Sequence, residues 1–320
     1  MKPRTLALVV EVLLLGAVGA GCSTPHYVVA EPRVVRASDW PAARLTPHVV
    51  VVSVDGLRPD AIQAFEAPTL RRLMQEGSYT LQASTVTPSK TLPSHTSMLT
   101  GQLPERHGVL WNTVLSADAD LVELPTVFGL ARARGYETAA FFSKPKFQPL
   151  QQPGSLDYSQ APGGWFGGWS SDRTLADVEK YLATAHPNLL FVHLADVDRA
   201  GHSAGWMSSE YGHAVTRVDE AIDRLLVAAA ESFGADNFTV IVTADHGGHD
   251  FDHGTDDPRD VTIPWIAWGR AVSSGALHDL PVQTTDTAAT VLWLLGVAGP
   301  SDWLATPIMP AFVAAATANQ

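Results

Sequence analysis

Thr243-Ala-Asp-His-Gly-Gly-His-Asp-Phe-Asp-His-Gly254 decides the fold, because it follows directly on the apolar run Phe238-Thr-Val-Ile-Val242. The run has the length and composition of a buried strand, and Asp and His side chains crowd among glycines after it. Carboxylates and imidazoles hold Zn²⁺ and similar divalent ions, and glycine lets the backbone approach a ligand closely. The stretch predicts a strand that ends in a metal site, with an ordinary polar loop as the alternative.

Two further apolar runs are also followed by Asp residues. His48-Val-Val-Val-Val-Ser-Val54 is followed by Asp55, and Asn188-Leu-Leu-Phe-Val-His-Leu194 leads to Asp198 and His202, four residues apart. Ligands of open α/β sheets bind at the carboxyl ends of the strands. A lone Asp is most simply a turn residue or a helix cap. Three such Asp residues, two of them with nearby His, predict one shared metal site.

A candidate nucleophile lies in Thr87-Pro-Ser-Lys-Thr-Leu-Pro-Ser-His-Thr-Ser-Met-Leu-Thr-Gly101. Pro93 suits the first turn of a helix, so Thr91 is predicted at or just before the helix N-terminus. Backbone N–H groups and the positive end of the helix dipole favour an anion there. A hydroxyl so placed can be ionised by a metal and attack phosphorus, although a simple helix cap is the commoner role of such a residue.

Together these segments resemble the alkaline phosphatase superfamily, and within it the nucleotide pyrophosphatase/phosphodiesterase (type I phosphodiesterase) family. The resemblance spans roughly residues 47 to 297 in the family's order. The motifs that carry it are the Asp-Gly after the first strand, Lys90-Thr-Leu-Pro-Ser-His95, the segment from Leu99 to Asn112, Asp198-x-x-Gly-His202 and Asp245-His-Gly247.

The resemblance implies a two-metal phosphoryl-transfer site. It assigns one zinc to Asp55, Thr91, Asp245 and His246, and the other to Asp198, His202 and a third His. Thr91 would be the nucleophile, and Asn112 would hold a phosphate oxygen. Lys90, beside the nucleophile, could touch the phosphate or be solvated.

The third His is the point at which this chain departs from the longer phosphodiesterases, where that ligand lies far downstream after an insertion. After His246 only His249, His253 and His278 remain. His253 is followed by Gly and then by the apolar run Val261-Thr-Ile-Pro-Trp-Ile-Ala-Trp-Gly269, a layout similar to that of other superfamily members. We therefore expect His253 to be the ligand, with His249 as the alternative and His278 on the surface.

The function that the resemblance implies is that of a di-zinc phosphodiesterase or nucleotide pyrophosphatase that forms a covalent phospho-threonine. Two Zn²⁺ ions and three Asp ligands leave a local charge of about +1, which suits a phosphate oxyanion. A phosphomonoesterase or phosphonate hydrolase on the same scaffold is one alternative, and a catalytically inactive envelope metal-binding protein is another. Sulfatase activity is disfavoured. Sulfatases use a modified Cys or Ser in a Cys/Ser-x-Pro-x-Arg motif, whereas position 91 is Thr and no Arg follows within the loop.

The alternation of strand and helix patterns predicts an α/β fold. We expect a mostly parallel central sheet with helices on both faces, an alkaline phosphatase-like three-layer sandwich, in a catalytic domain over residues 47–310. The content of 46% hydrophobic residues is ample for its core. Helical spacing is found in Thr69 to Glu76, Pro125 to Arg134, Glu210 to Ala230 and Thr287 to Leu295. The loop from Lys144 to Asp172 is either a binding loop or a packed surface loop.

The formal net charge of −12 argues against a nucleic-acid polymer as partner, because no basic stripe is present to neutralise its phosphates. A small phosphate ester, with nucleotide-like compounds among the candidates, would instead meet the local charge of the metals.

Residues 1–22 have the pattern of a leader, with a basic start and a short apolar stretch before Cys22, the only cysteine. This resembles a bacterial lipoprotein signal cleaved before a lipidated Cys, although Gly19 stands where Leu is usual and Glu11 interrupts the apolar stretch. A plain secretory signal is the alternative. Residues 23–46, with three prolines and a fourth directly after them at position 47, predict an extended tether. The protein is thus expected in the bacterial cell envelope, periplasmic or membrane-anchored through the lipid alone, or alternatively secreted.

Overall fold

Four consecutive valines, Val49 to Val52, form the middle of the central strand, and all four are buried. This strand lies between two parallel neighbours, Leu189–Leu194 and Phe238–Thr243, with Val51 paired to Phe191 on one side and to Ile241 on the other. Almost every residue of the three strands is buried. Because successive side chains of a strand point to opposite faces, both faces of the sheet's centre are covered.

The computed structural model describes residues 40, 43–114, 121–163 and 168–313. The strands are β1 (His48–Val54), β2 (Ser78–Ser84), β3 (Thr138–Phe141), β4 (Tyr158–Gln160), β5 (Leu189–Leu194), β6 (Phe238–Thr243), β7 (Thr262–Gly269) and β8 (Gly275–Ala276). The helices are α1 (Ala61–Ala64), α2 (Pro68–Glu76), α3 (Thr91–Thr100), α4 (Pro104–His107), α5 (Val127–Arg132), α6 (Ser171–Leu182), α7 (Asp196–Ala204), α8 (Ser209–Phe233), α9 (Pro258–Val261) and α10 (Asp286–Leu294). Two 3₁₀ helices cover Pro145–Leu150 and Met309–Ala311.

The eight described strands form one sheet in the order β4-β3-β5-β1-β6-β7-β2-β8. Among them only β7 runs against the others, pairing antiparallel with both β6 and β2. Helices α2, α6, α7 and α8 pack in one group, and α3, α5 and α10 pack in another. The expected α/β fold, with a mostly parallel sheet covered by helices, is confirmed.

The predicted strands and helices correspond to β1, β5, β6 and β7 and to α2, α5, α8 and α10, with ends that differ by a few residues. The helix starts have identifiable causes. Pro68 occupies the first turn of α2, and the Ser208 side chain accepts a hydrogen bond from the Tyr211 N–H at the start of α8. The Asp219 carboxylate on α8 accepts from the backbone N–H groups of Thr69 and Leu70, which fastens α2 to α8.

Parallel strands bring their carboxyl ends to one edge of the sheet. Asp55 follows β1, Asp245 follows β6 by two residues, and Asp198 lies in the first turn of α7 after β5. The backbone of Gly56 passes so close to α7 that a Cβ there would lie 2.9 Å from the Cα of Asp198. With φ of +74° as well, this position requires glycine.

Within the described residues, no helix combines the length and the apolar character needed to cross a bilayer. Cys22, the predicted leader over residues 1–22 and most of the predicted tether over 23–46 lie outside the described residues.

Candidate metal centre

The first side-chain cluster at this edge contains Asp55, Asp245 and His246, which are all fully buried. One ligand atom from each lies within 4.8 Å of the others. The Nε2 atom of His246 is 3.4 Å from Asp55 Oδ1 and 3.3 Å from Asp245 Oδ2. The hydroxyl of Thr91, the first residue of α3, lies 3.5 Å from the same Nε2 atom. The structure therefore brings together the four residues that the resemblance assigns to the first metal.

The second cluster contains Asp198, His202 and His253. Asp198 and His202 are four residues apart on α7 and so lie on one helix face. Asp198 Oδ1 is 3.3 Å from His202 Nε2 and 3.5 Å from His253 Nε2. His249 lies elsewhere, with its Nδ1 atom bound to Asp260 Oδ1 at 2.7 Å, and His278 is exposed. The structure thus places His253, and neither alternative, beside Asp198 and His202.

Each of the three carboxylates has one oxygen held by protein donors and one oxygen held by none. Oδ2 of Asp55 accepts from His193 and Lys144, and Oδ2 of Asp198 accepts from Lys144. Oδ1 of Asp245 accepts from the backbone N–H groups of Gly56 and His246. The opposite oxygens are buried without a hydrogen-bond partner among the described residues. A buried carboxylate oxygen without a donor is costly, and a divalent cation would satisfy all three.

The histidines complement these oxygens. Their Nδ1–H groups donate to backbone carbonyls: His202 to Phe251, His246 to Gly247 and His253 to Ser89, at 2.8 to 2.9 Å. Such bonds fix the ring orientation and turn the Nε2 lone pair toward the cluster, as is usual for metal-ligating His. The donor set of carboxylate oxygens, imidazole nitrogens and one hydroxyl therefore fits two divalent ions of the zinc type.

The ionisation of the buried groups reflects a shortage of positive charge. Burial would raise the pKa of Asp55, but Lys144 and the imidazoles of His193 and His246 outweigh it and hold that pKa well below its usual range. Burial and the charge of Asp55 raise the pKa of Asp245 to about 7. Burial lowers the pKa of His246, but Asp245 and Asp55 outweigh burial and raise it to about 9. The first cluster therefore favours a positive charge at the position where His246 Nε2 faces the two carboxylates.

In the second cluster, Asp198 and His253 have pKa shifts that favour metal binding, whereas Asp198 raises the pKa of His202. Burial and nearby Asp55 oppose the charge of Asp198, yet Lys144 and the imidazole of His202 lower its pKa below the usual range. Burial, followed by the charge of His246, lowers the pKa of His253 to about 3. An ionised Asp and a neutral His are the protonation states that bind metal.

Thr91 lies at the start of a helix whose ten residues are all buried. Its carbonyl oxygen accepts a hydrogen bond from His95 Nδ1 at 2.7 Å, and Ser53 binds the other side of that ring at 2.8 Å. The N–H of Leu92 donates to Asn112 Oδ1 at 2.9 Å. Asn112 is therefore anchored on the helix start through its oxygen, which leaves its amide N–H₂ group as its hydrogen-bond donor.

Lys90 precedes the helix as its N-cap residue in extended conformation. Its aliphatic chain packs against Gly254, where a Cβ would lie 2.7 Å from the Lys90 Cε atom. The residue therefore lies beside the loop that carries His253, and its contact with phosphate stays a prediction.

The sequence did not indicate that Lys144 and Lys146 lie at the site. Lys144 and Lys146 lie just after β3, in the segment interpreted from sequence as a binding loop or a surface loop. His193 and His95 hold Asp55 and Thr91 in place. One sequence feature could have placed these lysines. The short apolar run of β3 is followed by them, and the carboxyl end of β3 lies beside that of β5 at the same edge of the sheet.

Asp196 lies two residues before Asp198 but points away from it, because β5 ends at Leu194 and α7 begins at Asp196. Side chains that are two residues apart on an α-helix point about 200° apart around the helix axis. Asp196 instead accepts hydrogen bonds from the Ser171 N–H at 2.9 Å and from Arg199, away from the metal cluster.

The chain also matches known proteins over the part that carries these residues. The family model for "Type I phosphodiesterase / nucleotide pyrophosphatase" matches residues 49–262, a range that includes every residue of both clusters. GPI ethanolamine phosphate transferase 1 of Gibberella zeae is 27% identical over 242 residues, which are 68% of this chain and 24% of that protein. Ectonucleotide pyrophosphatase/phosphodiesterase family member 1 of Mus musculus is 26% identical over 241 residues, 65% of this chain and 25% of that protein. The chain thus spans about a quarter of the length of these relatives.

Solved structures share the fold at low sequence identity. A 2-O GAG sulfatase superposes with a TM-score of 0.70 at 16% identity, covering 83% of this chain and 74% of that one. An inactive form of murine ectonucleotide pyrophosphatase/phosphodiesterase 5, in complex with AMP, superposes with a TM-score of 0.66 at 17% identity, covering 79% of this chain and 96% of that one.

Proposed function

The chain belongs to the type I phosphodiesterase/nucleotide pyrophosphatase family, and we propose that it is a phosphoric ester hydrolase with two divalent metal ions and Thr91 as nucleophile. One observation carries this proposal. Three buried carboxylate oxygens without hydrogen-bond donors face three imidazole Nε2 atoms in two adjoining clusters, and the Thr91 hydroxyl lies at one of them.

The ligands divide as the two clusters do. Asp55, Thr91, Asp245 and His246 would hold one ion, and Asp198, His202 and His253 would hold the other. When bound, such ions lower the pKa of a coordinated hydroxyl or water and stabilise negative charge on the attacking and leaving oxygens. Zinc is the ion that this mixture of Asp and His favours.

The reaction follows from the position of Thr91. Asn112, held at the helix start through Leu92, would donate its amide N–H to a non-bridging phosphate oxygen and orient the phosphorus. The Thr91 hydroxyl would give its proton to solvent water, and its oxygen would form a bond to phosphorus. The ester oxygen would leave with its bonding electrons and take up a proton from water. Water would then cleave the phospho-threonine and restore the Thr91 hydroxyl. This step would release inorganic phosphate from a monoester substrate, or a phosphate monoester from a diester substrate.

The substrate would be a small phosphate ester. The family name indicates phosphodiester or pyrophosphate bonds, and the AMP bound to the murine relative makes nucleotide-like compounds suitable first candidates. A phosphomonoester or a phosphonate is the alternative on the same site. The proposed place of action is the bacterial cell envelope, reached through a leader and a lipid on Cys22, or by secretion.

The test compares zinc-loaded protein with chelator-treated protein on bis(para-nitrophenyl) phosphate and para-nitrophenyl phosphate. Release of nitrophenol that depends on the metal, from either ester, supports the proposal. No turnover of either ester by zinc-loaded protein contradicts it, provided that metal analysis shows both ions bound.

A further inference from the structure

Lys144 bridges the two clusters. Its Nζ atom lies 2.7 Å from Asp55 Oδ2 and 2.5 Å from Asp198 Oδ2, and the side chain is only 12% exposed. Both contacts use the oxygens opposite to the partnerless ones. Lys144 can therefore stay in place while Oδ1 of each Asp accepts a metal ion.

Lys146 lies on the 3₁₀ helix Pro145–Leu150, two residues further along. In the part of the chain that the structure describes, its Nζ atom has a single hydrogen bond, to Asn112 Oδ1 at 3.2 Å, and no carboxylate pairs with it. Burial and the nearby charge of Lys144 lower its pKa, and the carboxylates of Asp55, Asp198 and Asp245 offset this only in part. A partly buried ammonium group without an anion is unfavourable, so this one calls for an anionic ligand.

The place of that anion follows from Asn112. Its Oδ1 atom accepts both from Lys146 and from the N–H of Leu92, the residue after the nucleophile. The ammonium group of Lys146 thus lies at the start of α3, beside the position where Asn112 would hold the phosphate that Thr91 attacks. Any added charge on that phosphate would be adjacent to Lys146.

With Lys144 and Lys146 included, the net charge of the centre is more positive than the sequence motifs alone indicate. Two divalent ions contribute four positive charges, three Asp ligands remove three, and an ionised Thr91 removes one more, which leaves about zero. Lys144 and Lys146 add two. A centre of about +2 matches a phosphate monoester dianion, whereas a diester brings a single negative charge.

We propose that Lys146, with Lys144 adding charge behind it, contacts the attacked phosphate and fits this site to phosphate monoester dianions in preference to diesters. This inference rests on the proposed function and narrows it to one substrate class. Lys144 acts through Asp55 and Asp198, which it positions, and Lys146 acts by touching the substrate.

The first test is the ratio of kcat/KM values for para-nitrophenyl phosphate and bis(para-nitrophenyl) phosphate. The zinc-loaded wild-type protein should prefer the monoester. Lys146→Met should lower kcat/KM for the monoester by about 10- to 100-fold, the value of a hydrogen bond to a charged group, and change the diester rate much less. Lys146→Arg should keep the preference. Lys180→Met, which removes an exposed lysine on α6, should leave both rates unchanged.

The second test measures binding without turnover. Calorimetry on zinc-loaded Thr91→Ala protein should show that adding Lys146→Met weakens the binding of inorganic phosphate by about 10-fold or more. The binding of dimethyl phosphate, a monoanion, should change little. Metal analysis of each variant verifies that both ions are still bound.

The outcomes separate this inference from the function on which it rests. If wild-type protein hydrolyses neither ester, the proposed function fails. If it hydrolyses the diester in preference to the monoester, or if Lys146→Met lowers both rates alike, the proposed function stands and the role of Lys146 in recognising charge is overturned. An equal loss would mean that Lys146 only holds Asn112.

Discussion

The imidazole rings of His246 and His253 stack with their centroids 3.6 Å apart and their planes within 11° of parallel. Each ring belongs to a different cluster, and the Nδ1–H group of each is tied to a backbone carbonyl. The stack, together with the bridge made by Lys144, places the two clusters side by side. In the proposed mechanism a substrate phosphate would therefore contact both ions at once, as in other two-metal hydrolases.

The first prediction concerns metal content. Protein purified with zinc should carry about two ions per chain, as a bimetallic centre requires. Asp245→Asn removes the charge of the partnerless Oδ2 oxygen, so this variant should lose metal and activity while its circular dichroism spectrum is unchanged. Asp236→Asn, at an exposed position, is the matched control. Full activity in protein free of divalent metal would contradict the account.

The second prediction separates two neighbouring histidines. His253→Ala should lose the ion that Asp198 and His202 share, because its Nε2 atom faces Asp198. His249→Ala should have a milder effect, since that side chain binds Asp260 instead. Metal analysis of both variants gives the answer. The assignment is wrong if only the change at His249 removes that ion.

The third prediction concerns Cys22, which lies outside the described residues. If the leader is cleaved before a lipidated Cys22, then Cys22→Ser should move the protein from the membrane fraction to a soluble one. Mass analysis of the mature N-terminus provides an independent measurement. An N-terminus elsewhere, or membrane partitioning that the change leaves unaltered, would exclude this anchor.

The fourth prediction concerns pH. His107 Nδ1 accepts a hydrogen bond from the Val109 N–H at 3.1 Å, and burial lowers its pKa to about 4, against about 6.5 for an unfolded His. As pH falls through this window the unfolded chain takes up a proton that the folded chain does not. The contribution of neutral, buried His107 to the free energy of unfolding is therefore fully present above about pH 6.5 and is lost as the pH falls toward 4.

Urea unfolding of metal-free protein at several pH values measures this effect. In His107→Gln, the free energy of unfolding should fall less steeply between about pH 6.5 and pH 4 than in the wild type. His213→Gln, at an exposed position, should keep the wild-type slope. Equal slopes for all three proteins would show that His107 does not contribute.

The sequence predicted those parts of the site that depend on local patterns. Apolar runs that end in Asp indicated β1 and β6, and parallel strands then bring Asp55 and Asp245 together. Lys144 and Lys146 could not be placed in the same way. Their position depends on the pairing of β3 with β5, a long-range contact without a local signal beyond a short apolar strand. The ligand roles of the site residues stay predictions that the metal measurements test.

The fifth prediction concerns Thr91, on which the mechanism depends. Thr91→Ala removes the hydroxyl that lies at the first cluster while leaving the Asp and His ligands in place. The rate should fall by about two to four orders of magnitude, as for the loss of other essential catalytic groups. Thr91→Ser keeps a hydroxyl and should retain measurable activity on the same ester.

The most direct measurement is the trapping of the covalent intermediate. Zinc-loaded protein is mixed with substrate, quenched in acid and digested, and the peptide that contains Thr91 is analysed by mass spectrometry. The account predicts a phosphate on Thr91 that is absent without substrate and absent from Thr91→Ala. A Thr91→Ala protein with near-normal turnover, together with an unmodified Thr91 peptide in the trapped wild type, would contradict it and show that water attacks the phosphorus directly.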